Sequence, residues 1–213
     1  PDRLLGHMTK IDQVFATSIY SAKLGGQGSK VFLDELRMAC RSIAQEDGAG
    51  QRWSEEAGYK GYTSYASLDD LPVRNPTFAD LCDRLKPHLA AFAAAVDFDT
   101  RGLAPEIDSI WINVLEHGGT HTGHIHTNSV ISGTLYVDVP DGASAIRFED
   151  PRLAMMMAAP PRKVRAAAHN RHFVYVQPAP GTVLLWESWL RHEVPVNMAG
   201  EDRISVSFNA VLV

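Results

Sequence analysis

Three histidines fall within six residues, His121, His124 and His126, in the run GGTHTGHIHTNSVISGTLY from Gly118 to Tyr136, which passes straight into an apolar, β-branched segment. Where a chain is extended, side chains at i and i+2 leave the same face of the strand, so His124 and His126 can hold one small ion between them. Imidazole nitrogen suits iron, zinc, copper and nickel, and a metal site on a sheet takes one or two further ligands from a neighbouring strand. The best distant candidate is His192 in WLRHEVPVN, 66 residues beyond His126, a separation that a β-barrel or jelly roll closes by returning the chain to an adjacent strand. Any one of these histidines alone reads as a solvated loop or a satisfied core group. A His-x-His pair flanked by Gly and Thr and leading into a strand favours the metal.

Eleven residues after His192 comes Arg203, and two after that Ser205, again sharing one face of an extended run. That spacing suits a 2-oxo dicarboxylate, which chelates a metal through its keto oxygen and adjacent carboxylate and leaves its far carboxylate deeper in a barrel. Charge buried there is costly unless paired and hydrogen-bonded. The planar guanidinium fork of Arg203 grips a carboxylate with two hydrogen bonds and the Ser205 hydroxyl adds a third. Tyr136, on the strand leaving the His-x-His run, brings a phenol to the same place. Asn113, on the preceding strand, faces the same region if the strand parity holds.

The elements that must position these groups follow from periodicity. Ile11–Leu24 suits a short edge strand, ended by Gly25, Gly26 and Gly28. Ser29 reads as the N-cap of a helix through about Ala44, with Phe32, Leu36, Ala39, Cys40 and Ile43 on its buried face. Residues 45–76 interleave glycines with Trp53, Tyr59, Tyr62 and Tyr65 and read as a long, partly ordered loop, either a substrate lid or a loop pinned to the barrel. Thr77 with Asp80 resembles a capping box opening a second helix, buried along Phe78, Leu81, Cys82, Leu85, Leu89, Phe92, Ala93 and Val96, which Pro87 should kink or split. His88 beside it reads as structural.

After Gly102 the period switches to that of strands: 109–115, 130–139, 145–148, 172–177, 182–186 and 203–213. Six strands preceded by grouped helices make an α+β, mainly β architecture, a jelly roll buttressed by N-terminal helices. The 149–171 gap carries Arg152, Arg162, Lys163, Arg165 and Arg171, a solvated face or an anion site. Trp186, Trp189 and Phe208 could line a dry pocket or simply pack.

Composition sets outer bounds. The 213 residues, 45% hydrophobic and 21% charged, fit one domain: a start of about ten residues that reads as disordered or non-native, a helical prefix over 11–101 and the jelly-roll core over 102–213. A net charge of -5 argues against nucleic acid as the main partner. Cys40 and Cys82 lack Cys-x-x-Cys spacing and read as small buried hydrophobes of a reducing, cytoplasmic protein. No apolar run approaches the ~20 residues of a membrane span.

The runs HIHTNSVISGTLYV, FEDPR, SWLRHEVPVN and RISVSFN resemble the 2-oxoglutarate and Fe(II)-dependent oxygenase superfamily, in detail a bacterial group of oxygenases, over most of the chain and most strongly over 111–209. The superfamily's iron motif is His-x-Asp/Glu with a distal His, followed by Arg-x-Ser on the last strand. The resemblance implies His124 and His192 as metal ligands with His126 where the carboxylate belongs, and Arg203, Ser205 and Tyr136 at the cosubstrate. It implies a double-stranded β-helix, cupin-like fold, Fe(II), 2-oxoglutarate and dioxygen, release of succinate and carbon dioxide, and hydroxylation of a small-molecule or peptide substrate. The departure is His126: two histidines and a carboxylate leave Fe(II) one residual charge, three imidazoles leave two. Asp138 or Glu149 completing the ligand set, and His121 replacing one of the pair, stay open beside the favoured three-histidine set. So do a cupin-type metal enzyme, for which no Glu follows His126 closely enough, and a non-catalytic metal protein. Oligomeric state is open, with a homodimer among the arrangements allowed.

Overall fold

On the strand Pro105–Leu115, Ile110, Ile112 and Val114 point to one side and Trp111 and Asn113 to the other, and the molecule is built on that alternation. A computed structural model describes residues 10–26 and 28–213; the proposed irregular start lies almost wholly outside them. In chain order the elements are β1 (Ile19–Lys23), α1 (Ser29–Glu46), α2 (Gly48–Glu56), β2 (Gly61–Thr63), α3 (Leu71–Arg74), α4 (Pro76–Ala95), β3 (Pro105–Leu115) and β4 (His121–His124). They continue as β5 (Ile131–Asp138), β6 (Ile146–Glu149), β7 (Phe173–Val176), β8 (Thr182–Glu187), β9 (His192–Val194) and β10 (Arg203–Leu212).

The strands pair antiparallel in two sheets, β1-β8-β5-β10-β3-β2 and β4-β9-β6-β7, the jelly roll that the strand pattern predicts. The outer face of the six-stranded sheet carries Ile112, Leu135, Leu185 and Val206 against Phe32 and Leu36 of α1 and Phe78, Leu81, Leu85 and Leu89 of α4. Burial of such side chains stabilises by about 1.5–3 kcal/mol each. A smaller cluster, Tyr136, Ile146, Phe148, Leu184, Trp186 and Leu190, fills part of the space between the sheets. The rest of that space is polar: Asn113, Ser132, Thr134, Ser205 and Asn209 are all buried there.

Several local expectations are corrected. The first strand is confined to Ile19–Lys23, at the sheet edge, because Phe15 adopts φ 57° and interrupts extension before it. Gly28, not Ser29, is the N-cap of α1, in a left-handed conformation and without a side-chain cap. The supposed loop over 45–76 holds α2, β2 and α3. Asp47 caps α2 by accepting from the Gly50 N–H, and also accepts from Tyr62 Oη at 2.9 Å and Ser67 Oγ at 2.5 Å, so short polar side chains order a stretch poor in apolar periodicity. Asn75 rather than Thr77 caps α4, accepting from the Thr77 N–H at 2.9 Å, and Asp80 instead pairs with Arg84. Pro87 lies inside α4 without splitting it, the helix running through 20 residues. His88 is structural, bonded to Tyr20 Oη and the Leu24 carbonyl.

Candidate functional site

β4 and β9 pair so that His124 lies directly opposite His192. Two residues past His124, the His126 N–H donates to the Ser188 carbonyl at 3.0 Å, which turns its ring back towards the other two. The candidate ligand nitrogens of His124, His126 and His192 all lie within 4.8 Å of one another, and among the described residues this is the group of histidine, cysteine and acidic side chains able to hold a metal ion. The ring centroids of His124 and His192 are 4.4 Å apart; those of His126 and His192 are 5.3 Å apart and nearly parallel.

Backbone carbonyls set the tautomers of two of the rings. A carbonyl only accepts, so His124 Nδ1 donates to Thr122 O at 2.6 Å and His192 Nδ1 donates to Leu190 O at 2.9 Å. Each ring therefore keeps its Nε2 lone pair for a cation. Burial pushes His192 down to about 3, with the neighbouring His124 ring disfavouring a second charge there, and pushes His126 down to about 4. Both are thus neutral imidazoles at neutral pH, the form that ligates metal.

The other candidates are engaged elsewhere. Asp138 lies 3.9 Å from Arg41, and Glu149 pairs with Arg191 at 3.4 Å. His121 Nε2 lies 2.6 Å from Tyr59 Oη. His169, which belongs to none of these sets, bonds Gln13 at the surface.

The cavity that the histidines line also reaches Arg203 and Ser205 at the start of β10. Its lining includes the three histidines, His121, Trp111, Thr134, Tyr136, Trp186, Arg203 and Ser205. Arg203 is 2% exposed, and none of the ion pairs among the described residues includes it. Its guanidinium sits 4.9 Å from the Tyr136 ring centroid and its Nη1 donates to Ser205 Oγ at 3.5 Å, while Nε has no partner. Tyr136 Oη and Trp186 Nε1 are likewise buried and unpartnered. Burial raises the Tyr136 phenol against the opposing pull of Arg203, so it stays protonated. Among the described residues, half of the six buried unpartnered side-chain atoms thus line this one cavity, and all three are donors. A cavity so lined calls for an acceptor-rich anion.

Asn113 shares the inward face but stands behind the lining, accepting from Thr63 Oγ1 at 3.0 Å and donating to Ser207 Oγ at 3.0 Å. Trp186 packs on His192 with centroids 4.7 Å apart, Phe208 belongs to the helix-side core, and Trp189 is about half exposed. Tyr62 and Tyr65 pin their segment, to Asp47 and against Trp111 respectively. The basic 149–171 stretch is mostly exposed; Arg152 pairs with Asp150 at 2.8 Å and Arg171 Nε donates to Ala166 O at 2.7 Å. Sequence reasoning missed Tyr59 as a neighbour of the site. Its signal was the Gly118-Gly119 pair, since a side chain at Gly119 would collide with the Lys60 carbonyl, so the segment carrying Tyr59 must cross there.

Residues 109–209 match a family model described as "Putative 2OG-Fe(II) oxygenase". No curated protein matches the chain. Among solved structures, it is similar to a Pseudomonas putida prolyl-4-hydroxylase, at 12% identity over 91% of this chain and 86% of that one, TM-score 0.56. It is similar to HygX from Streptomyces hygroscopicus with nickel and 2-oxoglutarate bound, at 15% identity over 92% and 82%, TM-score 0.55. The epimerase SnoN in complex with Fe3+, alpha ketoglutarate and nogalamycin RO gives 14% identity over 92% and 79%, TM-score 0.60. At these identities the likeness is one of fold.

Proposed function

We propose, for a chain whose residues 109–209 match the 2OG-Fe(II) oxygenase family model and whose strands form a jelly roll, a dioxygenase activity dependent on Fe(II) and 2-oxoglutarate. The observation that carries this reading is the buried, unpaired Arg203 on the same cavity as the three-histidine cluster. An isolated buried guanidinium costs several kcal/mol, a cost that a bound carboxylate offsets.

The residues fit the cofactors chemically. His124 and His192 offer Nε2 lone pairs already oriented by carbonyls, and His126 completes three imidazoles on one side of an ion. Three neutral ligands leave Fe(II) its full double charge, which suits a dianionic chelator. Arg203, Ser205 and Tyr136 bind the far carboxylate, and Trp186 shields the His192 side from water. When bound, Fe(II), 2-oxoglutarate and dioxygen supply oxidative decarboxylation to succinate and carbon dioxide coupled to hydroxylation of a substrate C–H bond. The protein's part is to hold the diacid at both ends and keep its charged end out of water.

Anaerobic titration of the Fe(II)-loaded protein with 2-oxoglutarate tests this. The expected result is a weak visible charge-transfer band in the wild type, lost in Arg203→Ala with iron retained. Iron binding without a band in the wild type would instead favour a metal protein that does not use a 2-oxo acid.

A further inference from the structure

Tyr59 and His121 form a dyad on the wall of the cavity to which the proposed activity assigns no work. Tyr59 precedes β2, outside the jelly-roll core, and β2 pairs with the end of β3 so that Gly61 faces Leu115; Leu115 in turn faces Arg203 on β10. The dyad is thereby brought to the Arg203 end of the barrel, and the Arg203 charge acts on both its members. His121 opens β4 three residues ahead of His124, and its ring lines the same cavity as Arg203 and the histidine cluster.

The proton positions follow from the partners. Burial raises the Tyr59 phenol, which stays protonated, and its one side-chain partner is His121 Nε2 at 2.6 Å, with the rings edge to face at 5.2 Å. Tyr59 therefore donates, and the neutral His121 carries its proton on Nδ1. That nitrogen has no hydrogen-bond partner in the protein and is not fully enclosed, and the ring lines the cavity. His121 thus joins Arg203, Tyr136 and Ser205 as a donor on the wall of this cavity.

We propose that His121, held in one tautomer by Tyr59, is a cosubstrate-positioning residue that donates from Nδ1 to the far carboxylate of the bound dicarboxylate. This rests on the reading of the site as a 2-oxo dicarboxylate site. The helical prefix thereby takes part in choosing the cosubstrate, through a side chain carried on β4 and a tyrosine carried ahead of β2.

The test is calorimetric titration of Ni(II)-loaded wild type, His121→Phe, His121→Gln and Tyr59→Phe with 2-oxoglutarate and with 2-oxobutyrate, which lacks the far carboxylate, alongside metal content. A hydrogen bond to a charged group sets the expected loss: 2-oxoglutarate affinity falls about 10- to 100-fold in His121→Phe. A smaller fall is expected in Tyr59→Phe, and partial recovery in His121→Gln, whose amide still donates. Affinity for 2-oxobutyrate and metal content stay at the wild-type values. Unchanged 2-oxoglutarate affinity in His121→Phe, an equal loss for both acids, or loss of metal would each overturn the role while leaving the parent reading standing. A wild type that binds metal but not 2-oxoglutarate would overturn the parent reading, and this one with it.

Discussion

Arg203 is the residue at which stability and function pull apart. A guanidinium only 2% exposed, with an unpartnered Nε and no acid paired to it, destabilises the ligand-free protein. Arg203→Met removes that charge while roughly keeping the volume. Thermal melts of the ligand-free proteins should show the variant more stable than the wild type by about 1–4 kcal/mol, while calorimetry shows 2-oxoglutarate binding gone. Among the histidines, His192 is both buried and fixed by the Leu190 carbonyl, so His192→Ala should lose most of the iron by elemental analysis. His169→Ala, at the surface, should lose none. His126→Asp tests the ring without a carbonyl to hold it: retained iron is expected, because a carboxylate there neutralises part of the ion's charge at the same position.

At the scale of elements, β2 shows how a short edge strand reaches the site. Gly61 sits at φ 120° with no room for a Cβ against the Val114 carbonyl, so Gly61→Ala should strain or detach the strand. Chemical denaturation should register a loss of about 1–3 kcal/mol, with a smaller effect from Asn75→Ala, which removes the cap of α4 at about 1 kcal/mol. The long strands were legible in the sequence because their alternation is strict: β3, β5, β8 and β10 fall within a few residues of the periodic runs. β2 and β9, three residues each, are too short to show a period, and α2 is made by an aspartate cap rather than an apolar stripe. Pro87 stays within a single helix whose apolar face is packed on both sides of it, at Leu85 and Leu89.

The whole molecule divides its labour between two faces of one sheet. The outer face and the helices form the large apolar core, which carries stability, and this leaves the inner face free to be polar. Titration follows from that interior: His121 and His192 are pushed to about 3 and His126 to about 4, against about 6.5 when unfolded. Lowered folded-state values mean that the unfolded chain takes up protons first, so stability is complete above about pH 6.5 and falls as the pH drops towards 3–4. Melting temperatures of the metal-free protein should decline through that window. The metal-loaded protein should resist to lower pH, because the ion competes with protons for the same nitrogens. No helix of the described residues is long and apolar enough to cross a membrane.

From sequence alone came the groups and their order along strands: His124, His126 and His192, then Arg203, Ser205 and Tyr136, since residue type and a period of two are local properties. Which of them meet was decided by the tertiary structure. Pairing of β4 with β9 sets His124 opposite His192, Arg41 and Arg191 take up Asp138 and Glu149, and Tyr59 takes up His121. Those outcomes depend on strand register and loop crossings between residues far apart in the chain, which no local pattern encodes.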